Sequence, residues 1–144
     1  MRSATVPDNE AKRLDALRSY AVLDGPKEAA IDALVRVAAR VCDVPIAVVT
    51  LIDSTRQYFL SITGLDATET SREIAFCTHA ILQPCELLEI EDATLDDRFC
   101  GNPLVTGDPK IRFYAGAPLV DPGGYALGTL CVIDRLPRRL SATQ

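Results

Sequence analysis

Residues 44–63 read VPIAVVTLIDSTRQYFLSIT, and this stretch decides the fold. Its first part, Val44 to Ile52, is rich in β-branched residues and too short for a core helix, so it predicts a strand buried on both faces. Asp53 to Arg56 supply turn-forming residues, and Gln57 to Thr63 return as a half-alternating strand that stops at Gly64. The stretch therefore predicts a β-hairpin.

A second hairpin is predicted near the C-terminus. Residues 112–120 and 125–133 have strand character and flank the turn-forming sequence Asp121-Pro-Gly-Gly124. Residues 86–90 predict one further short strand. Because two hairpins dominate the strands, the sheet should be largely antiparallel with helices packed on it, which is an α+β fold.

Two amphipathic helices are predicted ahead of the first hairpin. The first follows a capping cluster that starts at Pro7, and it ends near Tyr20. The second comes after the break at Gly25. Its apolar residues recur on one side of the helix, and they are Ile31, Leu34, Val35, Ala38, Val41 and Cys42.

The chain between the two hairpins is less regular. Thr70 and Glu73 have the spacing of a capping box, which predicts a short helix that runs through Ala80 to Leu82. Residues 91–107 are rich in Asp, Gly and Pro, and they predict a long irregular connection with one helical turn. Connections of this length inside one domain are often functional.

The composition is that of one compact domain, with 144 residues of which 48% are hydrophobic and 24% charged. We expect a single domain over residues 1–144. The net charge of −5 would repel nucleic acid and anionic membrane surfaces. No charge-free stretch approaches the roughly 20 residues of a membrane span, and the N-terminus shows no secretory pattern. We therefore expect a cytoplasmic protein without nucleic-acid or membrane partners.

Five cysteines are spread irregularly along the chain, at positions 42, 77, 85, 100 and 131. Their odd number and the missing C-x-x-C pattern argue against a disulfide framework or a zinc ribbon, so we predict no metal site. The single histidine, His79, lies two residues after Cys77. On a helix these two side chains point about 200° apart, which makes a poor catalytic pair.

A series of short motifs runs in order from about Asn9 to Leu140 and covers nearly the whole chain. The motifs are NEAKRLDAL (9–17), YAVLD (20–24), VPIA (44–47), GL (64–65), FCTHAI (76–81), DAT (92–94), DRF (97–99), NPLVTG (102–107), RFYAGAPL (112–119) and GTLCVID (128–134). This pattern resembles the GAF domain, a sensory module of many bacterial histidine kinases, diguanylate cyclases and related regulators. The resemblance implies about six antiparallel strands, helices on one face, and a pocket between the other face and the 91–107 connection.

The resemblance also implies partners. In the family a helix after the last strand leads into an output domain, such as a kinase or a cyclase, or pairs with its counterpart in a dimer. Here Ser141 looks like the cap of this helix with no helix after it, so we expect the helix to be missing or truncated. We still expect a homodimer. Leu14 and Leu17 give the first helix a narrow apolar stripe, which should lie against the last strand-bearing edge of the sheet or against its copy in a second chain.

Branches of the family differ in the small molecule they use. In the bilin-binding branch a cysteine directly precedes a histidine, whereas Thr78 separates Cys77 from His79 here, and the Asp-Ile-Pro stretch of that branch is absent. The Asn-Lys pair of the cyclic-nucleotide branch is also absent. Because the motifs of both branches are missing, the sequence leaves the cofactor unknown. A third branch reduces free methionine sulfoxide with pocket cysteines. Cys77, Cys85 and Cys100 permit that chemistry, which makes a thiol-based reductase the alternative function.

Five residues are predicted to line the pocket and to contact a small organic ligand, namely Phe76, His79, Asp92, Arg112 and Tyr114. Phe76 and Tyr114 would form apolar walls, although plain core packing explains them equally. Asp92 leaves the short strand and Arg112 opens the next, so an antiparallel sheet can bring both to one cavity mouth. His79 could equally be held within the pocket wall, and Asp92 could form a loop-pinning ion pair with Arg98.

The predicted function is that of a non-catalytic sensory or regulatory domain in signal transduction, which binds a small molecule or a partner and passes the signal on through its terminal helices. A ligand can pass on a signal only if it binds two arrangements of the protein with different affinity. The 91–107 connection is the element expected to have two arrangements, because little secondary structure holds it.

Overall fold

The computed structural model describes residues 3–26 and 28–144. Within this part of the chain there are four α-helices and six β-strands. Their bounds are α1 Glu10–Ser19, α2 Ala29–Cys42, β1 Ile46–Ile52, β2 Arg56–Thr63, β3 Glu69–Ser71, α3 Cys77–Ala80, β4 Leu88–Ile90, α4 Pro103–Thr106, β5 Phe113–Val120 and β6 Ala126–Asp134. The strands form one sheet in the order β3-β2-β1-β6-β5-β4, and every pair is antiparallel. The α+β prediction is confirmed.

The hairpin predicted from residues 44–63 forms the middle of the sheet. β1 is buried at all of its positions and pairs with β2 on one side and β6 on the other. Ala47 and Val49 belong to the apolar cluster on the helix side of the sheet, and Val48 and Ile52 belong to the cluster on the opposite side. A strand with helices on one face and other chain segments on the other has no solvent face, which is why it is apolar throughout.

The two long helices pack on the same face of the sheet. α2 lies over β1, β2 and β6 and buries Val35 completely. It ends at Asp43, whose left-handed backbone (φ 55°) forms its C-cap. α1 buries Leu17 against Leu51 and Tyr58. Leu17 of the α1 stripe therefore packs inside the chain and α1 contacts β6, while Leu14 is half-buried.

The capping box predicted at Thr70 and Glu73 is wrong. Thr70 lies in the short strand β3, where it is the register partner of Gln57 on β2. A 3-10 turn follows over Arg72–Ile74, and the short helix begins only at Cys77. Pairing with the neighbouring strand thus prevails over the local helix signal.

The 91–107 connection has little regular structure but is firmly packed. It contains a 3-10 turn, Ala93–Leu95, and the one-turn helix α4. The side chain of Asn102 accepts a hydrogen bond from the Leu104 backbone N–H at 2.8 Å and donates one to the Ile74 carbonyl at 2.9 Å. This amide caps α4 and ties the connection to the segment before α3.

The chain after β6 runs through turns and irregular structure from residue 135 to residue 144. No helix among the described residues is both long and apolar enough to span a membrane.

A buried ion cluster fastens α1 to the turn before α3. Glu10 bonds to Arg13, with Nε at 2.9 Å from Oε2, and also pairs with Arg72. Both arginines are more than nine-tenths buried. Burial alone would raise the pKa of Glu10, but the hydrogen bonds from Arg13 and Arg72 outweigh it and lower the pKa to about 2.

This cluster predicts a loss of stability in acid. A carboxyl whose pKa is lower in the folded chain stabilises the fold above its unfolded pKa, and this contribution is lost as the pH falls towards the folded pKa. Glu10→Gln should therefore lower the free energy of unfolding at neutral pH by about 2–3 kcal/mol and flatten its pH dependence between about 4.5 and 2. Urea denaturation across that range measures both effects. The control is Glu91→Gln, because Glu91 pairs with Arg139 in an exposed ion pair that contributes little. Equal effects of the two substitutions would contradict the prediction.

Candidate functional site

A cavity of about 250 Å³ lies on the face of the sheet opposite α1 and α2. Its floor is formed by β1, β2 and β6, and its sides by residues 65–67 and the chain from 104 to 111. Most of its wall is apolar. The principal apolar lining residues are Ile46, Val48, Phe59, Ile62, Leu65, Phe76, Leu104, Ile111, Tyr114 and Ile133.

One buried amide interrupts the apolar wall. Gln57 lines the cavity and donates from Nε2 to Thr70 Oγ1 at 3.0 Å, while its Oε1 has no hydrogen-bond partner among the described residues. The Thr70 hydroxyl donates its proton to the Ser71 carbonyl at 3.1 Å, so its oxygen accepts from Gln57 Nε2 in this arrangement. A buried carbonyl oxygen without a donor is costly and marks a place where a ligand donor fits.

Two carboxylates stand among the lining residues on the exposed side of the cavity. Asp66 precedes β3, and Asp108 follows α4; both are exposed. No Lys or Arg lines the cavity among the described residues. The cavity therefore favours neutral or cationic molecules over anions.

The cavity also contains a cluster of sulfur and hydroxyl groups. Cys77 Sγ accepts hydrogen bonds from Tyr114 Oη at 3.1 Å and Thr129 Oγ1 at 3.0 Å, and it lies 3.9 Å from Cys131 Sγ. Thr50 supports Thr129, since their hydroxyl oxygens are 3.1 Å apart. All five side chains are buried.

The hydrogen bonds give the two thiols different acidity. Burial by itself would raise the pKa of Cys77, but bonds from Cys131, Thr129 and Tyr114 outweigh it and lower that pKa. Burial and the neighbouring Cys77 raise the pKa of Cys131 well above its usual range. Burial also raises the pKa of Tyr114, so its phenol keeps the proton that it donates.

Of the five predicted site residues, Phe76 and Tyr114 line this cavity. The Phe76 ring stacks on Phe99 with centroids 4.2 Å apart, and Tyr114 tilts against Phe76 at 5.3 Å. His79 is half-buried behind them and meets the Phe99 ring edge-on at 4.8 Å, without being among the lining residues.

Asp92 and Arg112 are brought together in the backbone but not in the cavity. The Ala93 N–H donates to the Arg112 carbonyl at 2.6 Å, so the predicted antiparallel juxtaposition exists. The Asp92 side chain, however, accepts from the Thr94 N–H, and it lies in a separate polar groove between residues 89–96 and 137–139. The Arg112 guanidinium donates to the Val105 and Ile111 carbonyls.

The alternative prediction of an ion pair between Asp92 and Arg98 is wrong. Arg98 Nη2 bonds to Asp96 Oδ2 at 2.8 Å, and this hydrogen bond lowers the pKa of Asp96. The two residues are two positions apart in the same turn, so the pair forms locally. It holds the outer side of the connection.

Gln57, Thr70, Thr129 and Cys131 were missed as site residues by the sequence prediction. The signal of Gln57, Thr129 and Cys131 is a polar or thiol side chain in a mainly buried strand, which is uncommon unless the group is hydrogen-bonded or functional. Thr70 lies in a short polar strand and gives no such signal. The signal does not say which face of the strand is involved. Among the described residues no cluster of three or more His, Cys, Asp or Glu could hold a metal ion.

The fold agrees with comparisons to known proteins. The family model described as GAF domain matches residues 26–144. The chain belongs to the GAF domain family. The recognition made from the sequence motifs is thus confirmed.

A relative is named as a cyclic di-GMP phosphodiesterase from Pseudomonas aeruginosa. It is 41% identical over 138 residues, which cover 96% of this chain and 23% of the relative. The chain thus spans about a quarter of the length of that protein.

Solved structures share the fold at low identity. The GAF domain of an Acinetobacter phosphoenolpyruvate-protein phosphotransferase superposes with a TM-score of 0.61 at 20% identity, covering 91% of this chain and 82% of that one. A type II free methionine-R-sulfoxide reductase from Thermoplasma acidophilum has a TM-score of 0.61 at 12% identity, covering 90% and 82%. A GAF domain of a phosphotransferase and a methionine-R-sulfoxide reductase both share this fold, so fold alone does not choose between a regulatory and an enzymatic function.

Proposed function

We propose that this GAF domain is a non-catalytic sensory part of a signalling protein and that its cavity binds a small, mostly apolar molecule with one hydrogen-bond donor. The observation that carries the proposal is the unpaired Oε1 of Gln57, a residue that lines a mostly apolar cavity. A benzene-sized molecule fills a cavity of about 150 Å³. The present cavity, at about 250 Å³, has room for one ring with a short substituent.

The positions of the cysteines favour this function over the thiol-based reductase. Of the three cysteines considered for that activity, Cys77 lines the cavity, whereas Cys85 and Cys100 are exposed and lie outside its lining. A reductase that used these three cysteines needs a second one of them in reach of Cys77, and neither Cys85 nor Cys100 is placed there. Cys131 does lie in reach of Cys77, at 3.9 Å between the sulfur atoms, so the comparison bears only on a reductase that uses Cys85 or Cys100.

Within this proposal Gln57, Phe76 and Tyr114 contact the ligand. Contact by His79, Asp92 and Arg112 stays a prediction, because it requires the 91–107 connection to move. An output domain elsewhere in a longer protein would receive the signal, as the larger size of the phosphodiesterase relative suggests. The carboxylates Asp66 and Asp108 disfavour an anionic nucleotide as the molecule sensed here.

Phenol and toluene test the proposal, because they differ mainly in a hydroxyl donor. Both should shift the backbone NMR signals of cavity residues in a titration. Gln57→Met keeps a side chain of similar length but removes the acceptor, so it should lower the preference for phenol over toluene about tenfold, the value of about one hydrogen bond.

The matched control is Gln83→Met, which makes the same change at an exposed residue outside the cavity lining and should leave the preference unchanged. If neither probe shifts cavity residues, or if the preference is the same in Gln57→Met, the proposed ligand site is wrong.

We further propose that the domain pairs with a second copy through α2. Leu34, Val37 and Val41 are each about half exposed and lie within about 60° of one another around the helix. They form an exposed apolar stripe along α2, whereas Leu17 of the α1 stripe is already buried inside the chain.

Val37→Asp should shift the protein from dimer to monomer, because a buried carboxylate at the interface is strongly unfavourable. Light scattering at high micromolar concentration measures the mass. Leu95→Asp adds the same charge at an exposed site on the connection and should leave the mass unchanged. A monomeric unmodified protein at that concentration would contradict the proposal.

A further inference from the structure

The two thiols of the cavity form an asymmetric pair. Cys77 is the first residue of α3 and Cys131 lies in β6, and their sulfur atoms are 3.9 Å apart. Both residues are almost completely buried from bulk solvent but line the cavity. A molecule reaches them only if it is small enough to enter that cavity.

Cys77 is the nucleophile of the pair. Its sulfur accepts from the Tyr114 phenol and the Thr129 hydroxyl, and accepted hydrogen bonds stabilise a thiolate. Cys131 keeps its proton, since a second charge beside the first is unfavourable. A thiolate next to a thiol is the arrangement that oxidises in two steps to a disulfide.

The backbone is adapted to hold the Tyr114 hydroxyl in place. Gly116 lies two residues further along β5, and a Cβ on it would stand 2.2 Å from Tyr114 Oη. The phenol occupies the space that any other residue at 116 would fill.

We propose that Cys77 and Cys131 are a modification site for a small neutral hydroperoxide, either hydrogen peroxide or a short alkyl hydroperoxide. The Cys77 thiolate attacks the terminal oxygen of the peroxide, the O–O bond breaks, and the departing alkoxide or hydroxide takes up a proton. Cys77 becomes a sulfenic acid, and the peroxide is reduced to an alcohol or to water. Cys131 then loses its proton and attacks the Cys77 sulfur. An S–S bond forms, the S–O bond breaks, and the leaving hydroxide takes that proton to give water.

The consequence is a link between peroxide and the shape of the cavity. A disulfide bond is about 2 Å long, so its formation draws α3 and β6 together. It also replaces the thiolate that accepts from Tyr114 and Thr129 by a weak acceptor. Thr129 can donate to Thr50 instead, at 3.1 Å, whereas the buried Tyr114 phenol loses its strong partner. The oxidised cavity therefore differs from the reduced one in width and polarity.

The test uses the protein with Cys85→Ser and Cys100→Ser, which removes the two exposed thiols. Stoichiometric hydrogen peroxide should remove two hydrogen atoms from the intact mass, and peptide mapping should find the disulfide between Cys77 and Cys131. With Cys131→Ala added, Cys77 should instead gain one oxygen and react with dimedone. With Cys77→Ala added, neither product should form.

Two further variants distinguish a reaction that depends on the Cys77–Cys131 site from a general effect of substitution on folding. Cys42 is buried on the helix side of the sheet, and Cys42→Ser should leave the reaction unchanged. Tyr114→Phe keeps the ring but removes the hydroxyl that donates to Cys77. Oxidation of Cys77 should then slow about tenfold, which corresponds to a rise of about one in the pKa of its thiol. Oxidation of Cys42 at the same rate as Cys77, a Cys131 product that forms without Cys77, or an unchanged rate in Tyr114→Phe would overturn the proposal. An unchanged mass in folded protein whose thiols oxidise once it is unfolded would also overturn it.

Discussion

Replacing Phe99 by alanine is expected to lower the free energy of unfolding by about 3–5 kcal/mol. Phe99 belongs to the 91–107 connection, yet it is completely buried and stacks on Phe76, with the two ring centroids 4.2 Å apart. Its removal leaves a space behind the cavity wall that the neighbouring rings cannot fill without moving. Denaturant unfolding followed by circular dichroism measures the loss.

Leu95→Ala is the control for this prediction. Leu95 lies in the same connection but is 83% exposed, so its truncation should change stability by less than about 0.5 kcal/mol. An equal loss at both positions, or no loss at Phe99, would contradict the view that Phe99 anchors the connection.

The anchor restricts how the connection can take part in signalling. Ala93 and Phe99 are completely buried at its inner side, and Asn102 fastens α4 to the segment before α3. Residues 94–98 lie between these anchors and carry the local Asp96–Arg98 pair. They are the part that can move without opening the core, so the predicted mobility of the connection applies best to them.

The sequence predicted the sheet well because its hairpins are local. Each hairpin joins two strands through a turn of a few residues, and β1 has the continuous apolar sequence that burial on both faces requires. The relation between Asp92 and Arg112 was predictable for the same reason, since antiparallel strands fix which backbone positions face each other. Their side chains then bond to groups nearby in the chain. Backbone register does not determine such choices.

The cavity was harder to predict because its polar groups come from distant parts of the chain. Cys77 and Cys131 are 54 residues apart, and no spacing pattern relates them. His79 was predicted to be a poor partner for Cys77. In the structure the Cys77 sulfur accepts its hydrogen bonds from Tyr114 on β5 and Thr129 on β6. Those bonds depend on which face each strand turns towards the helix, and hydrophobic pattern alone does not fix this in strands buried on both faces.

Gly128→Ala is expected to cost more than about 4 kcal/mol and to abolish cooperative unfolding of the native sheet. Gly128 lies in β6, between β1 and β5, and a Cβ on it would stand 1.8 Å from the Thr50 carbonyl oxygen on β1. The obstacle is backbone in a central strand, which cannot swing aside as a side chain can. Thermal unfolding by calorimetry measures the loss.

Gly25→Ala is the matched control. Its added Cβ would be 3.7 Å from the nearest atom, so the stability of this variant should stay the same or rise by up to about 1 kcal/mol. Because Thr50 and Thr129 hold the hydrogen bonds of Cys77 in place, separation of β1 from β6 should also abolish the enhanced reactivity of that thiol. A Gly128→Ala protein with the unfolding temperature of the unmodified chain would show that β1 and β6 do not approach as closely as this register requires.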